Sequence, residues 1–307
     1  MNEARFREAE ARFWKFVGAA ASEQQLTLAR TRTTVRVQEL GDGPPIVFVH
    51  GGSNSGASWA PLAARLEGFR CILLDRPGCG LSEPVETRFH DVGALARFAD
   101  ALVVDVLDAL EIERAHVIAT SFGGFIALRT AAAHPQRIDH LVELGWTMGA
   151  PSRRVPIDMR IAATPGLGAL FARLPANERI VRSMFKRIGL RQALENGRVS
   201  DEMVSMFTAL LRDTPTMRNE MAAGPRLITP IKGFNDAILF DPKLLGSLSV
   251  PTFFLWGEGD PFGGSSTARA FVSQIPGATL ELMPGGHAVW VDDLEHVVAR
   301  VSEFLTR

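Results

Sequence analysis

His116-Val117-Ile118-Ala119-Thr120-Ser121-Phe122-Gly123-Gly124-Phe125-Ile126-Ala127 is the stretch on which the fold turns. A short apolar run over Ala115–Thr120 passes straight into a helical pattern near 122–134, with a serine at the junction. A serine at the tip of so sharp a strand-to-helix turn sits in a strained backbone, and its second neighbours on either side must be small for the turn to close. Here they are Ala119 and Gly123; glycine is the commoner residue at the first of these positions, but a methyl fits. The turn exposes the hydroxyl and aims the free N–H groups of the helix start at an oxyanion formed beside it. Ser121 is therefore the candidate nucleophile.

Outward from this junction the pattern repeats. Apolar runs at 46–50, 71–75, 138–144, 251–256 and 279–283 alternate with helical segments near 58–66, 92–111, 264–275 and 293–306. Strands alternating with helices predict a mostly parallel sheet covered on both faces, an α/β architecture. Residues 25–40 read as two further strands. Residues 2–20 place Phe6, Ala9, Phe13, Phe16 and Val17 at helical spacing, an amphipathic helix that packs on the body, with a homodimer contact as the alternative.

One interval breaks the rhythm. From Trp146 to about Gly246 there is no convincing strand, only helical pieces punctuated by prolines. It holds 7 of the 9 methionines, and between 147 and 245 there are 15 Arg and Lys against 9 Asp and Glu. A basic, Met-rich helical insertion over 147–246 reads as a lid on a core made of 1–146 and 247–307, although any single Met or Arg in it is an ordinary packing or solvated residue.

In open parallel sheets, ligands bind beyond the carboxyl ends of the strands. A serine nucleophile needs a base and a group that orients the base. Among the 7 histidines, His287 stands in the turn Pro284-Gly285-Gly286-His287 after a strand, whereas His116 and His140 lie within strands, His134 ends a helix, His296 sits inside one and His50 braces a glycine loop. The orienting acid is Asp260 in Trp256-Gly257-Glu258-Gly259-Asp260-Pro261, with Glu258 and then Glu143 as weaker candidates. The backbone N–H groups of Gly52, in His50-Gly51-Gly52-Ser53-Asn54-Ser55, and of Phe122 are the expected oxyanion donors. Ser53, Trp146 and Met148 are placed to line the substrate space.

These motifs, together with Asp75-Arg76-Pro77-Gly78-Cys79-Gly80-Leu81-Ser82, resemble the α/β-hydrolase superfamily over about residues 25–146 and 247–307. The resemblance implies an eight-stranded, mostly parallel sheet, a Ser-His-Asp triad and a helical cap after the sixth strand. The Asp75–Ser82 segment is mainly structural in such proteins and is assigned no chemistry; Cys79 within it reads as a buried bystander. Relatives of this fold that open epoxides or remove halogens use an aspartate nucleophile, and the former use lid tyrosines. Ser121 and the count of 0 Tyr argue against both.

A subfamily that hydrolyses C–C bonds of ring-cleavage products shares the serine. Its Gly-Pro-Gly is Ser53-Asn54-Ser55 here, however, and the Trp that follows its catalytic His is Ala288. The expected activity is therefore hydrolysis of small, largely apolar carboxylic esters, thioesters or lactones through an acyl-enzyme. C–C hydrolysis, with Arg153, Arg154 or Arg160 holding a substrate carboxylate, and acyl transfer are the alternatives; a non-catalytic ligand receptor ranks below them.

Composition narrows the partners. At 307 residues, 46% hydrophobic and 22% charged with a formal net charge of −1, the chain has the make-up of a globular protein and no electrostatic footprint for nucleic acid or a membrane surface. The 2 cysteines form neither a disulfide framework nor a metal-ligand set, and nothing in the sequence requires a cofactor. A charged N-terminus and short apolar runs give no signal peptide or membrane span, so a soluble, cytoplasmic protein is expected.

Overall fold

The computed structural model describes residues 1–85, 91–151, 155, 157–164, 168, 175–229 and 233–307. Strands β1 (Ser22–Leu28), β2 (Thr33–Leu40), β3 (Pro45–Val49), β4 (Arg70–Leu74), β5 (Ala115–Ser121), β6 (Ile138–Thr147), β7 (Thr252–Gly257) and β8 (Thr279–Met283) form one sheet in the order β1-β2-β4-β3-β5-β6-β7-β8. Strand β2 runs antiparallel to β1 and β4, and the other pairings are parallel.

Because side chains alternate along a strand, each central strand feeds two cores. Val47, Val49, Val117 and Ala119 pack with α2 (Val92–Ala109) and α3 (Phe122–Ala133) on one face. Ile46, Phe48 and Ile118 pack on the other face with α1 (Glu3–Val17) and α8 (Leu294–Leu305). Between β7 and β8 lies α7 (Ser265–Val272).

The N-terminal helix α1 buries Phe6, Ala9, Phe13 and Trp14 against its own chain. Phe16, counted with its apolar stripe from sequence, is 58% exposed, because the buried stripe turns toward Glu10 and Trp14 and leaves Phe16 on its margin. The Glu10 carboxylate accepts from Arg36 Nη2 at 2.6 Å, which ties α1 to β2.

Between β6 and β7 the chain forms α4 (Glu178–Arg187), α5 (Asp201–Asp213), α6 (Thr216–Leu227) and shorter helices. A two-residue ladder, Ile228–Thr229 with Gly233–Phe234, also lies here where the sequence shows no strand; it is too short to leave a periodic signal. Strand β6 runs past the expected end at 144 to Thr147, because its register to β5 shifts and Ser121 pairs with Thr147. Gly145, at φ 81°, allows this: a Cβ there would lie 2.3 Å from the His287 carbonyl oxygen. No helix among the described residues is long and apolar enough to cross a membrane.

Candidate active site

Ser121 ends β5 and caps α3 at φ 56° and ψ −120°, a left-handed region that costs a non-glycine residue on the order of 1–3 kcal/mol. The small neighbours explain how the turn closes. A Cβ on Gly123 would lie 2.0 Å from Val49 O, and one on Gly51 would lie 3.0 Å from Ser121 Cβ and 3.5 Å from its Oγ. Ala119 is fully buried in the strand, so its methyl fits. The Gly51–Gly52 loop therefore lies directly against the serine. Phe122 opens α3, and the first N–H groups of a helix have no intrahelical acceptor. The Gly52 N–H meets no protein acceptor among the described residues.

Strand β6 links Ser121 to the two other residues. Thr147 pairs with Ser121, and the preceding Trp146 donates its N–H to Asp260 Oδ2 at 2.9 Å. The same oxygen lies 2.8 Å from His287 Nδ1, and Asp260 Oδ1 accepts from Phe262 N–H at 2.9 Å. Asp260 is 2% exposed, and a carboxylate only accepts, so in this hydrogen bond His287 Nδ1 is the donor.

The other two acids lie elsewhere. Glu258 is exposed. Glu143 is fully buried beneath α3, where a Cβ on Gly124 would lie 2.1 Å from its Oε2, and neither of its oxygens has a hydrogen-bond partner among the described residues.

Burial holds the Glu143 carboxyl well above its ordinary value of 4.5. A carboxyl whose folded pKa is raised costs stability as pH climbs above the unfolded value, because the unfolded chain sheds the proton and the folded one keeps it. Relative to Glu143→Gln, the wild type should lose about 1.4 kcal/mol per pH unit above pH 4.5 until the raised value is reached. Urea melts of both proteins at several pH values between about 5 and 7 check this; parallel stability profiles would contradict it.

Aromatic residues wall the histidine. The Phe262 ring lies 4.7 Å and the Trp146 ring 6.3 Å from that of His287, and Trp146 stacks on Phe234 at 4.9 Å. Met148 is buried in the same cluster and donates its N–H to Ser121 O at 3.0 Å. Ser53 is half-buried at φ 50°. Of the arginines considered for a carboxylate, Arg153 and Arg154 lie outside the described residues, and Arg160 is half-buried on the helix Ile157–Ala162. Among the described residues no group of three or more His, Cys, Asp and Glu side chains is arranged to hold a metal ion.

Two residues that the sequence reading passed over also reach this site. Arg76 is 2% exposed and donates to the carbonyls of His50 and Gly51, both at 2.8 Å. Glu220 of α6 accepts from Ser53 N–H at 3.1 Å and from Arg76 Nη2 at 3.2 Å. The only sequence signals for them were an arginine inside a glycine loop and an acid in a basic, Met-rich insertion. Cys79 is buried beside Glu220, and burial first, then that carboxylate, hold its thiol protonated well above the ordinary range.

A family model described as alpha/beta hydrolase fold matches residues 44–294. The chain belongs to the α/β-hydrolase fold family. It is 30% identical over 304 residues, 91% of this chain and 97% of the relative, to a 2-hydroxy-6-oxononadienedioate/2-hydroxy-6-oxononatrienedioate hydrolase of Paraburkholderia xenovorans (strain LB400). Among solved structures it superposes with TM-score 0.78 at 21% identity on 2-hydroxy-6-oxo-6-phenylhexa-2,4-dienoate hydrolase from Rhodococcus sp. strain RHA1, covering 94% of this chain and 99% of that one. It superposes with TM-score 0.76 at 21% identity on carboxylesterase CesB from Bacillus subtilis, covering 99% and 98%.

The two structural likenesses share the α/β-hydrolase fold and do not choose between reactions. The first relative does: it overturns the expectation of carboxylic ester hydrolysis in favour of the C–C alternative. The ester reading leaned on two side-chain departures, Ser53-Asn54-Ser55 and Ala288. Ser53 adopts the left-handed backbone that glycine favours, and with Ala288 next to His287, Phe262 and Trp146 supply aromatic walls.

Proposed function

We propose that this α/β hydrolase cleaves a carbon–carbon bond in small 2-hydroxy-6-oxo-dienoate products of aromatic ring opening. The observation that carries the reading is the 30% identity, over 91% of the chain, to a hydrolase named for such a diacid. The site chemistry is compatible with it. Ser121 attacks the ketone carbon and its proton passes to His287 Nε2, while Asp260, 2.8 Å from Nδ1, holds the imidazole tautomer and steadies the imidazolium. The Gly52 and Phe122 N–H groups take the oxyanion. For this the substrate reacts as its keto tautomer, the 2-hydroxyl proton having moved to the carbon beside the ketone. Collapse of the adduct breaks the bond to that carbon, and its electron pair passes through the conjugated enone to the 2-oxygen, which takes the proton from His287. Water then frees the acyl group from Ser121.

In this reading residues 147–246 form a cap over a core of 1–146 and 247–307, and Ser53, Trp146 and Met148 line the space between. Contacts from α6 support the cap: Thr216 Oγ1 accepts from Gly80 N–H at 2.9 Å, and Asn219 Nδ2 donates to Gly78 O at 2.8 Å.

The test is incubation of the purified protein with the nonadienedioate named for the relative and with its phenyl counterpart, following the loss of the conjugated dienolate absorbance. The expected products are a hydroxydienoate and a carboxylic acid that carries one oxygen from isotopically labelled water. Failure to consume either compound would overturn the proposal.

A further inference from the structure

The peptide between Gly51 and Gly52 carries both a carbonyl and the N–H assigned to the oxyanion, and in a trans peptide these two groups point in opposite directions. Whatever holds the carbonyl therefore aims the N–H. Two groups hold it: Arg76 Nη2 at 2.8 Å and His50 Nδ1 at 2.7 Å. His50 is itself held, its Nε2 accepting from Arg76 N–H at 3.0 Å. Arg76 Nε also bonds His50 O at 2.8 Å, which fixes the preceding peptide. The guanidinium carbon stands 4.5 Å from the centroid of the Phe122 ring, on the residue that carries the second donor. One buried side chain thus touches both halves of the oxyanion site.

Its charge is balanced from the insertion. Glu220 Oε1 lies 3.2 Å from Arg76 Nη2, and Oε2 accepts the Ser53 N–H on the peptide that follows Gly52. A Cβ on Gly52 would lie 3.1 Å from Oε2. The loop is gripped from below by Arg76 and from the insertion side by Glu220, with Gly52 between them.

We propose that Arg76 is a positioning residue that orients the Gly52 and Phe122 donors, and that Glu220 couples this orientation to the seating of helix α6. The proposal rests on the Ser121 mechanism above and goes beyond it. It gives a function to the Asp75–Ser82 loop, which the sequence reading treated as structural. A residue that only braced the loop would change stability. One that aims oxyanion donors changes the transition state and leaves substrate binding alone.

The experiment measures kcat and KM on the dienone, thermal midpoint, and affinity for a trifluoromethyl ketone. That ketone forms a hemiketal when Ser121 Oγ bonds to its carbonyl carbon, the serine proton passes to His287 and the carbonyl electron pair becomes the oxyanion. Arg76→Met is expected to lower kcat by about 10²-fold, the usual scale for losing an oxyanion donor, and to weaken the ketone by a similar factor with KM within about threefold. Arg76→Lys, a single point donor that cannot span both carbonyls, should fall between. Added guanidinium ion should restore part of the Arg76→Met loss, and Glu220→Gln should lower kcat several-fold with KM unchanged.

A kcat within about threefold of wild type in Arg76→Met, or a loss confined to KM, overturns the proposal. If Arg76→Met does not fold, Arg76→Lys and Glu220→Gln decide: unchanged kcat and ketone affinity in both overturn it. Ser121→Ala separates the two levels of the argument. Ketone capture that persists in Ser121→Ala sinks the mechanism itself, whereas capture that needs Ser121 but ignores Arg76 sinks only this inference.

Discussion

On the proposed mechanism, Ser121→Ala is expected to lower kcat on the ring-opened dienone by on the order of 10³-fold or more with little change in thermal midpoint, because among the described residues no contact that holds the fold depends on the hydroxyl. The Ser121 Oγ makes no hydrogen bond among the described residues, so losing it strands no buried donor or acceptor. The left-handed φ of 56° is imposed by the strand-to-helix turn and persists in alanine. The close approach of Gly51 is to the Cβ, at 3.0 Å, which alanine also retains. Steady-state kinetics beside a thermal melt check the pair of expectations. Retention of more than about a tenth of kcat would mean that another group delivers the attack.

Asp260→Asn should differ from it in kind. The carboxylate accepts three N–H groups: Trp146 and His287 at Oδ2, and Phe262 at Oδ1. An amide has one acceptor oxygen. If that oxygen keeps Trp146 and His287, its NH₂ faces the Phe262 N–H, donor against donor. If it flips, the NH₂ meets His287 Nδ1 and forces the proton onto Nε2, the tautomer that cannot act as base. The expected loss is about 10⁴-fold in kcat, joined by about 1–3 kcal/mol of stability from an unpaired buried donor. Kinetics with urea melts separate the variants: Ser121→Ala moves activity alone and Asp260→Asn moves both. An Asp260→Asn protein with wild-type turnover would remove Asp260 from the mechanism.

How much of this was visible beforehand depends on whether the information was local. The elbow at Ser121 was legible because its requirements fall within one short run of chain: strand, small residue, serine, glycine, helix. The sheet was legible because each central strand is apolar on both faces. Asp260 and His287 are singled out in the sequence by strand-end position, and the structure puts the Asp260 carboxylate 2.8 Å from His287 Nδ1 while it exposes Glu258 and buries Glu143 beneath α3. The reaction was read less well. Ser53 and Ala288 were weighed by side-chain identity, whereas the direction of the backbone N–H groups in that loop is something no local pattern reports.

By itself the sequence determined the architecture and the order of the chemical groups along it, since periodicity and turn chemistry are properties of neighbouring residues. Only the tertiary structure decided which carboxylate meets His287, and that Phe16 faces out while Glu10 is buried on Arg36. It also decided that Arg76 and Glu220 meet around Gly52, although 144 positions separate them. Hydrogen bonds of that span depend on how the sheet and the insertion come together, and a charged residue in a loop looks the same in sequence whether it ends in solvent or against a peptide carbonyl.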